Sequence, residues 1–562
     1  MKQLLTIFFS FCLMIIASAQ SGPAYFRVKF TDKGTSSYSL ARPAEYLSSK
    51  AIERRLLQRI PLTESDLPVN QTYLQSLRAA GAEIIYTSKW MNVAIIKADS
   101  RSVVDNIAKN QFIKEIKPAD NLFQKRSNQH KKSFFDSEKI EKLPVKTVSN
   151  EFKSGMSFNY GASLNQAQMI MVDQLHNLGF TGKGMTIAVI DGGFNSANIM
   201  AAFDSLRANS QILGTKDFVL PGNNVYGTSM SAHGTMVLST MGGNLPGELV
   251  GTAPKASYWL LRSEDVVSEY LMEEYYWVNA AEYADSIGAD IINSSLGYTE
   301  FDNPDENHTY ADMDGNTTVV TIGADMAAAK GILVVNSAGN SGNSPWFYIG
   351  APADGDSVFT IGAVDGSGIY AGFSSHGPTS DGRIKPDVTA QGANTIVAVV
   401  PSGIAAGSGT SFSSPVMAGA SACLWQANPT FTNMELMNAI KMSSSQSANP
   451  DNQKGWGIPN LVLANNLLTS SIIKQKEPFS NLSAYPIPFS EKVNIEVEST
   501  SRLIVDFKIF NSIGHSVAEM KGIELNKGKN LTVFPKLERL PKGIYMLQIS
   551  DGYNVIAEKI IK

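Results

Sequence analysis

The sequence predicts an α/β protein whose central domain is a doubly wound, mostly parallel sheet. An N-terminal α+β domain and a C-terminal small β-sandwich are predicted to flank it. Three observations support this prediction. Between residues 156 and 470, apolar runs without polar alternation are separated by helical stretches, a pattern typical of strands covered on both faces. The 562 residues exceed what one core usually serves, and the pattern changes towards both ends of the chain.

The first 19 residues, MKQLLTIFFSFCLMIIASA, have the pattern of a secretory signal peptide. Lys2 precedes an apolar run that ends in Ala17-Ser18-Ala19, small residues that suit a cleavage site. The run is too short for a membrane anchor, and no later stretch approaches the roughly 18 apolar residues that cross a bilayer. We therefore expect an exported protein without a transmembrane segment after signal removal.

Composition narrows the classes of partner and site. A net charge of −4 gives no reason to expect nucleic acid or an anionic membrane as a partner. Cys12 lies in the leader, which leaves Cys423 alone in the body of the chain. An intramolecular disulfide and the thiol pairs of zinc modules are thereby excluded. We expect Cys423 to be a buried, small, apolar residue.

Residues 20–120 are predicted to form an α+β domain of ferredoxin-like type. Residues 121–155 are Lys-rich and polar and show little periodicity, which predicts a basic linker that is easily cleaved. In chain order, the N-terminal domain is expected to hold a strand, two helices, two strands, a helix and a strand: YFRVKF, SKAIERRLLQR, NQTYLQSLRAAG, AEIIYTS, NVAIIKA, SRSVVDNIAKN and FIKEIKP.

Residues 156–470 are predicted to hold parallel strands joined by helices, and sites on such sheets lie at the carboxyl ends of the strands. The predicted strands are MTIAVI, SYWLLR, ADIINSSLG, GILVVNSAGN, VFTIGAV and TIVAVV, and the predicted helices are EYLMEEYYWVNAAEYADSIG, TVVTIGADMAAAKG and SPVMAGASACLWQAN.

Residues 478–562 return to short, alternating strands separated by turn residues at regular intervals, which predicts the β-sandwich. The predicted strands are KVNIEVE, DFKIFNSIG, LTVFP, GIYMLQIS and VIAEKIIK.

The stretch SGTSFSSPVMAG contains a candidate nucleophile. Ser411 follows Gly409-Thr410 and opens a helical pattern. Pro415 suits a first helical turn, because its missing N–H needs no partner there. Ser411 is therefore expected near a helix N-terminus, where free N–H groups and the helix dipole favour a developing negative charge. An isolated serine before a helix is also a common N-cap, so this pattern alone leaves both interpretations open.

A serine nucleophile needs a base, and the base needs an orienting group. His233 in SAHGTMVLSTMGG is the candidate base, because it stands at a predicted helix start among small residues where a substrate could approach. A hydrogen-bonded structural histidine has the same pattern. The other five histidines are expected in structural or surface positions: His130 in the linker, His176 in an exposed helix, His308 in a polar loop, His376 in a turn and His515 in the β-sandwich.

Two further candidates follow predicted strands. Asp191 ends an apolar strand and precedes Gly192-Gly193, a position that suits an orienting carboxylate as well as an ordinary turn aspartate. Asn340 in VVNSAGNSG also follows a strand. Its amide could donate to the oxygen of a tetrahedral intermediate, and a turn asparagine between glycines has the same pattern.

Taken together, the segments AVIDGGF, AHGT, NSSLG, SAGN and GTSFSSPVMAG resemble the subtilisin-like serine proteases, the subtilases of peptidase family S8. The order Asp, His, Ser along the chain is also that of subtilisin. The resemblance covers almost the whole central domain and implies a subtilisin-like fold. It implies that Ser411 is the nucleophile, His233 the general base and Asp191 the orienting carboxylate, with Asn340 in the oxyanion hole.

The resemblance also implies how substrate binds. The strand end at Ser295, Leu296 and Gly297 would pair with an extended peptide and border the S1 pocket. The absence of G-x-S-x-G and H-E-x-x-H motifs disfavours an α/β-hydrolase and a zinc protease. This chemistry requires no cofactor. Many subtilases bind structural calcium, and acidic residues 302–316 offer suitable oxygen donors, but they match no defined loop, so no ligand is assigned.

The flanking regions carry two more resemblances. Residues 20–120 are placed like a subtilase propeptide, which would inhibit the enzyme until cleavage within 121–155; a retained accessory domain is the alternative. SAYPIPFSEKVNIEV, FKIFNSIGHSV and LPKGIYMLQISDGYNVIAEKIIK resemble the C-terminal sorting domain of type IX secretion substrates. Ile487 departs from the Asn usual there, and a carbohydrate- or protein-binding module is the alternative.

The leading hypothesis is a secreted serine endopeptidase that is made as a zymogen. Its partners would be protein or peptide substrates, its own propeptide and the type IX secretion machinery, and it would pass through the periplasm to the cell surface or the medium. The alternative is a catalytically silent, subtilase-like surface protein used for adhesion or binding.

Overall fold

The computed structural model describes residues 24–123, 138–142, 157–470, 479–511, 515–551 and 555–562. They form two compact units, the first ending at Leu468 and the second beginning at Thr469. The predicted signal peptide, His130 and most of the predicted linker lie outside the described residues.

The N-terminal domain contains all seven predicted elements. They are β1 (Ala24–Phe30), α1 (Ser49–Leu57), α2 (Gln71–Ala79), β2 (Glu83–Ser88), β3 (Val93–Ala98), α3 (Arg101–Ala108) and β4 (Ile113–Pro118). The strands form an antiparallel sheet in the order β2-β3-β1-β4, which is the ferredoxin-like arrangement. Side-chain caps explain where two helices begin, since Ser48 accepts from the backbone of α1 and Asn70 from that of α2.

The central domain contains the predicted strands and helices together with several short elements. They are β5 (Lys139–Lys142), α4 (Leu164–Gln168), α5 (Val172–Asn177), β6 (Thr186–Asp191), α6 (Asp204–Ala208), β7 (Ile212–Asp217), α7 (His233–Gly242), β8 (Asn244–Leu245), β9 (Leu249–Val250), β10 (Ser257–Arg262), α8 (Met272–Ile287), β11 (Ile291–Ser294), α9 (Val319–Ala329), β12 (Leu333–Ser337), β13 (Phe359–Val364), β14 (Val388–Gln391), β15 (Thr395–Ala398), β16 (Ile404–Ser408), α10 (Thr410–Ala427), α11 (Asn433–Met442) and α12 (Leu461–Thr469).

Seven parallel strands form the main sheet in the order β14-β13-β12-β11-β6-β10-β7. Strand β6 is buried at every residue because both faces of the sheet are covered. Its Ile187 and Val189 face a core shared with α7 and α10, whereas Ala188 and Ile190 face a core shared with α8 and α9. Hydrophobic burial on both faces therefore fixes the strand that ends at Asp191.

The prediction that TIVAVV is a parallel strand is wrong. It forms β15, which pairs antiparallel with β16 outside the main sheet. Strands β7 and β14, which were not predicted, take the two edges of the main sheet. All four residues of β15 are buried, so burial explains the apolar run, and periodicity does not separate the two kinds of pairing.

A strand also lies inside the segment predicted to be a linker without regular structure. Strand β5, with the sequence KIEK, pairs antiparallel with β16 and completes a sheet in the order β15-β16-β5. Nothing in its local pattern predicts a strand, since three of its four residues are charged. Backbone hydrogen bonds from β16, a segment more than 250 positions away in sequence, supply the structure.

Buried charges join the N-terminal domain to α8. Arg54 Nη2 lies 2.5 Å from Asp285 Oδ1, and Arg55 Nη2 lies 2.8 Å from Asp66 Oδ1 and 2.9 Å from Asp285 Oδ1. Removing one partner of such a pair leaves a buried charge unpaired, which typically costs about 3–5 kcal/mol. These buried ion pairs therefore help to hold the N-terminal domain against α8.

The C-terminal unit is a β-sandwich of seven strands among its described residues. A sheet in the order β17-β18-β21 and another in the order β20-β19-β22-β23 enclose one apolar core. Strand β18 alternates buried and half-buried residues, as expected for one covered face. The strands are β17 (Phe479–Tyr485), β18 (Val493–Ser499), β19 (Leu503–Asn511), β20 (Ser516–Leu525), β21 (Gly528–Phe534), β22 (Ile544–Ser550) and β23 (Val555–Ile561).

Two strands of the sandwich, β17 and β20, were not predicted. The charged residues and the glycine of β20 weaken its alternating pattern.

Across the part of the chain that the structure describes, no helix combines the length and the apolar character needed to cross a membrane.

Candidate active site

Asp191 and His233 are in contact at the carboxyl edge of the main sheet. His233 Nδ1 lies 2.9 Å from both carboxylate oxygens of Asp191, which the backbone N–H of Gly192 also contacts at 2.7 Å. Gly234 permits this approach, because a Cβ there would lie 2.4 Å from the Gly193 carbonyl oxygen. The glycine turn after β6 and the start of α7 thus bring the two predicted residues together.

Ser411 is the second residue of α10, which begins earlier than predicted. Pro415 is consequently the sixth residue of this helix. The prediction that it lies in the first helical turn is therefore wrong. Its ring has no N–H to donate to the carbonyl four positions back, that of Ser411. Ser295 Oγ donates to this carbonyl instead, at 3.0 Å. The segment after β11 therefore holds the backbone at Ser411.

The hydroxyl of Ser411 is buried and has no hydrogen-bond partner among the described residues. Helix α10 packs along α7, and the ring of Phe412 lies 6.1 Å from that of His233, centroid to centroid. Ser411 thus lies at the N-terminal turn of a helix adjacent to the helix that begins with His233, a position that favours a developing negative charge.

Asn340 follows β12 and is held by Thr410. Its Oδ1 accepts from the Thr410 backbone N–H at 2.8 Å and from the Thr410 hydroxyl at 2.9 Å. The Gly339 N–H donates in turn to the Thr410 hydroxyl, at 3.1 Å. Because Thr410 occupies Oδ1, the NH₂ group is the part of the Asn340 amide that points away from Thr410. Sequence analysis predicted Asn340 and missed Thr410.

A cavity adjoins Asn340. Of the three predicted substrate-binding residues, Gly297 lines this cavity, whereas the side chains of Ser295 and Leu296 are buried away from it. The lining is formed by small and aromatic residues, none of them charged: Gly297, Thr299, Ser337, Ala338, Gly339, Ser341, Trp346, Tyr348, Gly350 and Ser375.

The other ring nitrogen of His233 has a partner that was not predicted. Its Nε2 lies 3.1 Å from Oε1 of Glu138, whose side chain is only 3% exposed. Burial lowers the pKa of His233, but the charges of Asp191 and Glu138 and the hydrogen bonds to both carboxylates raise it to about 10. No sequence pattern could identify Glu138, which is one of several acids in a Lys-rich stretch.

His176 is not on an exposed helix, contrary to the prediction. It is 1% exposed, its Nδ1 lies 2.5 Å from the Tyr160 hydroxyl and its Nε2 2.9 Å from the Thr252 carbonyl oxygen. Burial lowers its pKa to about 4, so it stays neutral. Helix α5 has six residues, too few for a reliable apolar pattern. Cys423 is buried as predicted, and its Sγ contacts the Thr252 carbonyl oxygen at 3.1 Å.

The acidic stretch 302–316 uses carboxylates for local structure: the Thr309 N–H, for example, donates to Asp312 at 2.7 Å. Among the described residues, the carboxylates close enough together to hold a cation lie elsewhere, on Glu264, Glu269 and Glu273. Burial raises the pKa of Glu264 to about 8 and that of Glu273 well above its usual value. Glu264 lies before α8 and accepts from the Tyr298 hydroxyl, whereas Glu273, in the first turn of α8, accepts from the backbone N–H groups of Asp265 and Tyr270.

Comparison with known proteins identifies the family. Residues 182–457 match the subtilase family, peptidase S8. Subtilisin E from Bacillus subtilis (strain 168) is 32% identical over 306 residues, which are 54% of this chain and 69% of subtilisin E. The chain belongs to the subtilase family.

Another relative, a solved structure and two further family matches extend the comparison. Subtilisin from Bacillus pumilus is 31% identical over 293 residues, 51% of this chain and 92% of that protein. The crystal structure of MycP1 with the N-terminal propeptide removed has a TM-score of 0.42 and 24% identity, covering 54% of this chain and 96% of that one. Residues 25–133 match the peptidase S8 propeptide domain of Bacteroidota, and residues 483–562 match a secretion system C-terminal sorting domain.

The subtilase is therefore a subtilisin-like serine endopeptidase that is made with a propeptide and is secreted to the cell surface through a type IX sorting domain. The predicted family, fold class, enzyme class and localisation are confirmed. The domain boundaries drawn from sequence and the roles of individual site residues stay predictions.

Proposed function

We propose that this subtilase hydrolyses peptide bonds with Ser411 as nucleophile, His233 as general base and Asp191 as the orienting carboxylate. The contact between Asp191 and His233 Nδ1 at 2.9 Å carries the proposal. It leaves Nε2 as the nitrogen that exchanges protons with the nucleophile. The position of Ser411 supports its role as the nucleophile, because it lies in the first turn of α10, which packs on the helix that begins with His233.

In the first half-reaction, His233 Nε2 takes the proton of the Ser411 hydroxyl as Oγ attacks the substrate carbonyl carbon. Negative charge develops on the carbonyl oxygen and is stabilised by the NH₂ of Asn340 and the backbone N–H of Ser411. The imidazolium, stabilised by Asp191, then donates its proton to the leaving amine as the C–N bond breaks. An acyl-enzyme remains on Ser411 Oγ.

In the second half-reaction, His233 takes a proton from water, whose oxygen attacks the acyl carbon. The same two donors stabilise the second oxyanion. The proton returns from His233 to Ser411 Oγ as the acid product leaves, so the enzyme ends in its starting state and no cofactor is consumed.

Substrate recognition is proposed at the segment after β11. Ser295, Leu296 and Gly297 continue β11, whose end is tied to Ser411 by the Ser295 hydroxyl. An extended peptide pairing with this segment would place its P1 side chain in the cavity next to Asn340. The uncharged lining of that cavity suits an uncharged P1 side chain.

Covalent labelling tests the proposal and separates it from the alternative, a catalytically silent surface protein. Fluorophosphonates react with an activated serine. The secreted wild-type protein should be labelled at Ser411, and the Ser411→Ala variant should not. Labelling of neither protein would support the silent alternative, and equal labelling of both would place the nucleophile elsewhere.

Maturation is proposed within residues 121–155, between the domain that matches a subtilase propeptide and the catalytic domain. N-terminal sequencing of the active form should begin in this segment. An active protein that still begins near Gln20 would contradict the proposal. Deletion of residues 478–562 should retain the enzyme in the periplasm, if the sorting domain is the signal for export across the outer membrane.

A further inference from the structure

Glu138 brings a second carboxylate to the candidate base. It immediately precedes β5, which is fixed at the site by antiparallel pairing with β16. The glutamate side chain passes next to Gly409, where an added Cβ would lie 3.0 Å from Glu138 Oε1. Gly407 gives similar room to Ile140, whose Cδ1 would lie 3.2 Å from a Cβ at that position. Pairing with β16 and the small size of two glycines thus allow residues 138–142 to lie next to the start of α10.

This position of β5 brings the Glu138 carboxylate to Nε2 of His233, the nitrogen that takes the Ser411 proton in the proposed mechanism. Glu138 Oε1 lies 3.1 Å from His233 Nε2, while Asp191 occupies Nδ1. An imidazole with an acceptor on each nitrogen is best matched when both nitrogens carry a proton. The Ser411 hydroxyl, meanwhile, has no hydrogen-bond partner among the described residues.

The charges around His233 favour the same protonation state. Asp191 on β6 and Glu138 before β5 are the acids in contact with the ring. The neighbouring segments of α10, β9 and β15 contain no charged residue. Lys139 and Glu141 on β5 are exposed, and Glu264 after β10 acts on Asp191. Two carboxylates in contact with a buried ring therefore favour the imidazolium.

We propose that Glu138 is an internal inhibitor of the zymogen, whose carboxylate holds His233 as the imidazolium through Nε2 until maturation displaces β5. This inference rests on the proposed function, because it takes His233 as the base. An imidazolium has no lone pair to accept the Ser411 proton, so the precursor is inactive although Asp191 already contacts His233 and Ser411 lies on the neighbouring helix. The inhibition is then chemical, and a neutral side chain of the same size should relieve it.

The first experiment reads the protonation state directly. Full-length Ser411→Ala protein cannot process itself through that serine, so it keeps its linker intact. Its His233 ring signals are titrated by NMR, with a His233→Asn variant of the same protein to assign them. Adding Glu138→Gln should lower the midpoint of the His233 titration by about 1–3 pH units. Adding Glu141→Gln, on the same strand but exposed, should leave the midpoint in place.

The second experiment reads the consequence for reactivity. Full-length proteins that carry Ser411 are treated at pH 7.5 with a fluorophosphonate, and precursor and processed bands are separated by size. The Glu138→Gln precursor should be labelled at least about tenfold faster than the wild-type precursor, since each pH unit of the shift changes the neutral fraction about tenfold. The Glu141→Gln precursor should match the wild type.

Each outcome decides the proposal. An unchanged His233 midpoint in the Glu138→Gln variant would overturn it. A lowered midpoint without faster labelling of the precursor would also overturn it, because the inhibition would then be steric. Failure to label even the processed wild-type enzyme would contradict the proposed function, whatever Glu138 does.

Discussion

The two sides of the candidate active site differ in how far their side chains are arranged for the proposed reaction. On the side proposed to stabilise the oxyanion, two hydrogen bonds from Thr410 orient the amide of Asn340. On the base side, His233 lies between Asp191 and Glu138, and the Ser411 hydroxyl has no hydrogen-bond partner among the described residues.

This difference follows from the chemistry that each side is proposed to perform. Stabilising an oxyanion requires fixed dipoles and moves no proton, so that side can be assembled in the precursor without making it active. The base must be neutral before it can act. On the proposed mechanism, a single carboxylate in contact with His233 is therefore enough to inhibit the zymogen. Variants on the two sides should accordingly differ in pH dependence as well as in size of effect.

Removing the base should have the largest effect. His233→Ala is expected to lower kcat by about 10⁶-fold, a magnitude established on subtilisin itself. The variant would be processed by added wild-type enzyme, purified and assayed on a chromogenic peptide. His515→Ala, an exposed change in the β-sandwich, should keep full activity. A loss below a hundredfold for His233→Ala would argue against its role.

Neutralising the orienting carboxylate should cost less than removing the base. Asp191→Asn is expected to lower kcat by about 10⁴-fold, because the amide favours the wrong imidazole tautomer. It should also move the acid limb of the pH–rate profile to lower pH. The charge of Asp191 raises the pKa of His233, so without it the ring stays neutral at lower pH. A limb that moves to higher pH would contradict this account.

On the oxyanion side, Asn340→Ala should lower kcat by about 10²–10³-fold, again a magnitude known from subtilisin. KM should change little, because the amide acts on charge that develops in the transition state. The acid limb of the pH–rate profile should stay where it is in the wild type. A shifted limb would indicate that Asn340 also controls the base.

The smallest effect is expected at Thr410. Thr410→Val removes the hydroxyl that orients Asn340 but keeps the backbone donor, so kcat should fall about fivefold, as for the loss of one hydrogen bond of about 1 kcal/mol. Thr410→Ser should restore activity. In an Asn340→Ala background, Thr410→Val should have almost no further effect. Additive losses would show that Thr410 acts independently of Asn340.

Local patterns predicted much of the fold because they reflect burial and capping. All seven elements of the N-terminal domain follow their apolar periodicity, and the strand that ends at Asp191 follows its uninterrupted apolar run. The same reasoning failed where a partner strand determines the structure. TIVAVV is buried like a parallel strand but pairs antiparallel, and KIEK forms a strand only because β16 pairs with it.

Prediction of the candidate site followed the same division. Asp191, His233, Asn340 and Ser411 stand at strand ends or helix starts, where local chemistry marks them. Glu138 and Thr410 could not be singled out, because their importance comes from contacts with residues 95 and 70 positions away.

The amino-acid sequence by itself determined the family, the order of the domains and the four residues of the proposed mechanism, since each depends on residue types at short spacing. The tertiary structure alone decided which carboxylates meet His233 and what orients Asn340. A protonation state or an amide orientation depends on charges and donors within a few ångströms, and folding brings these together from distant parts of the chain.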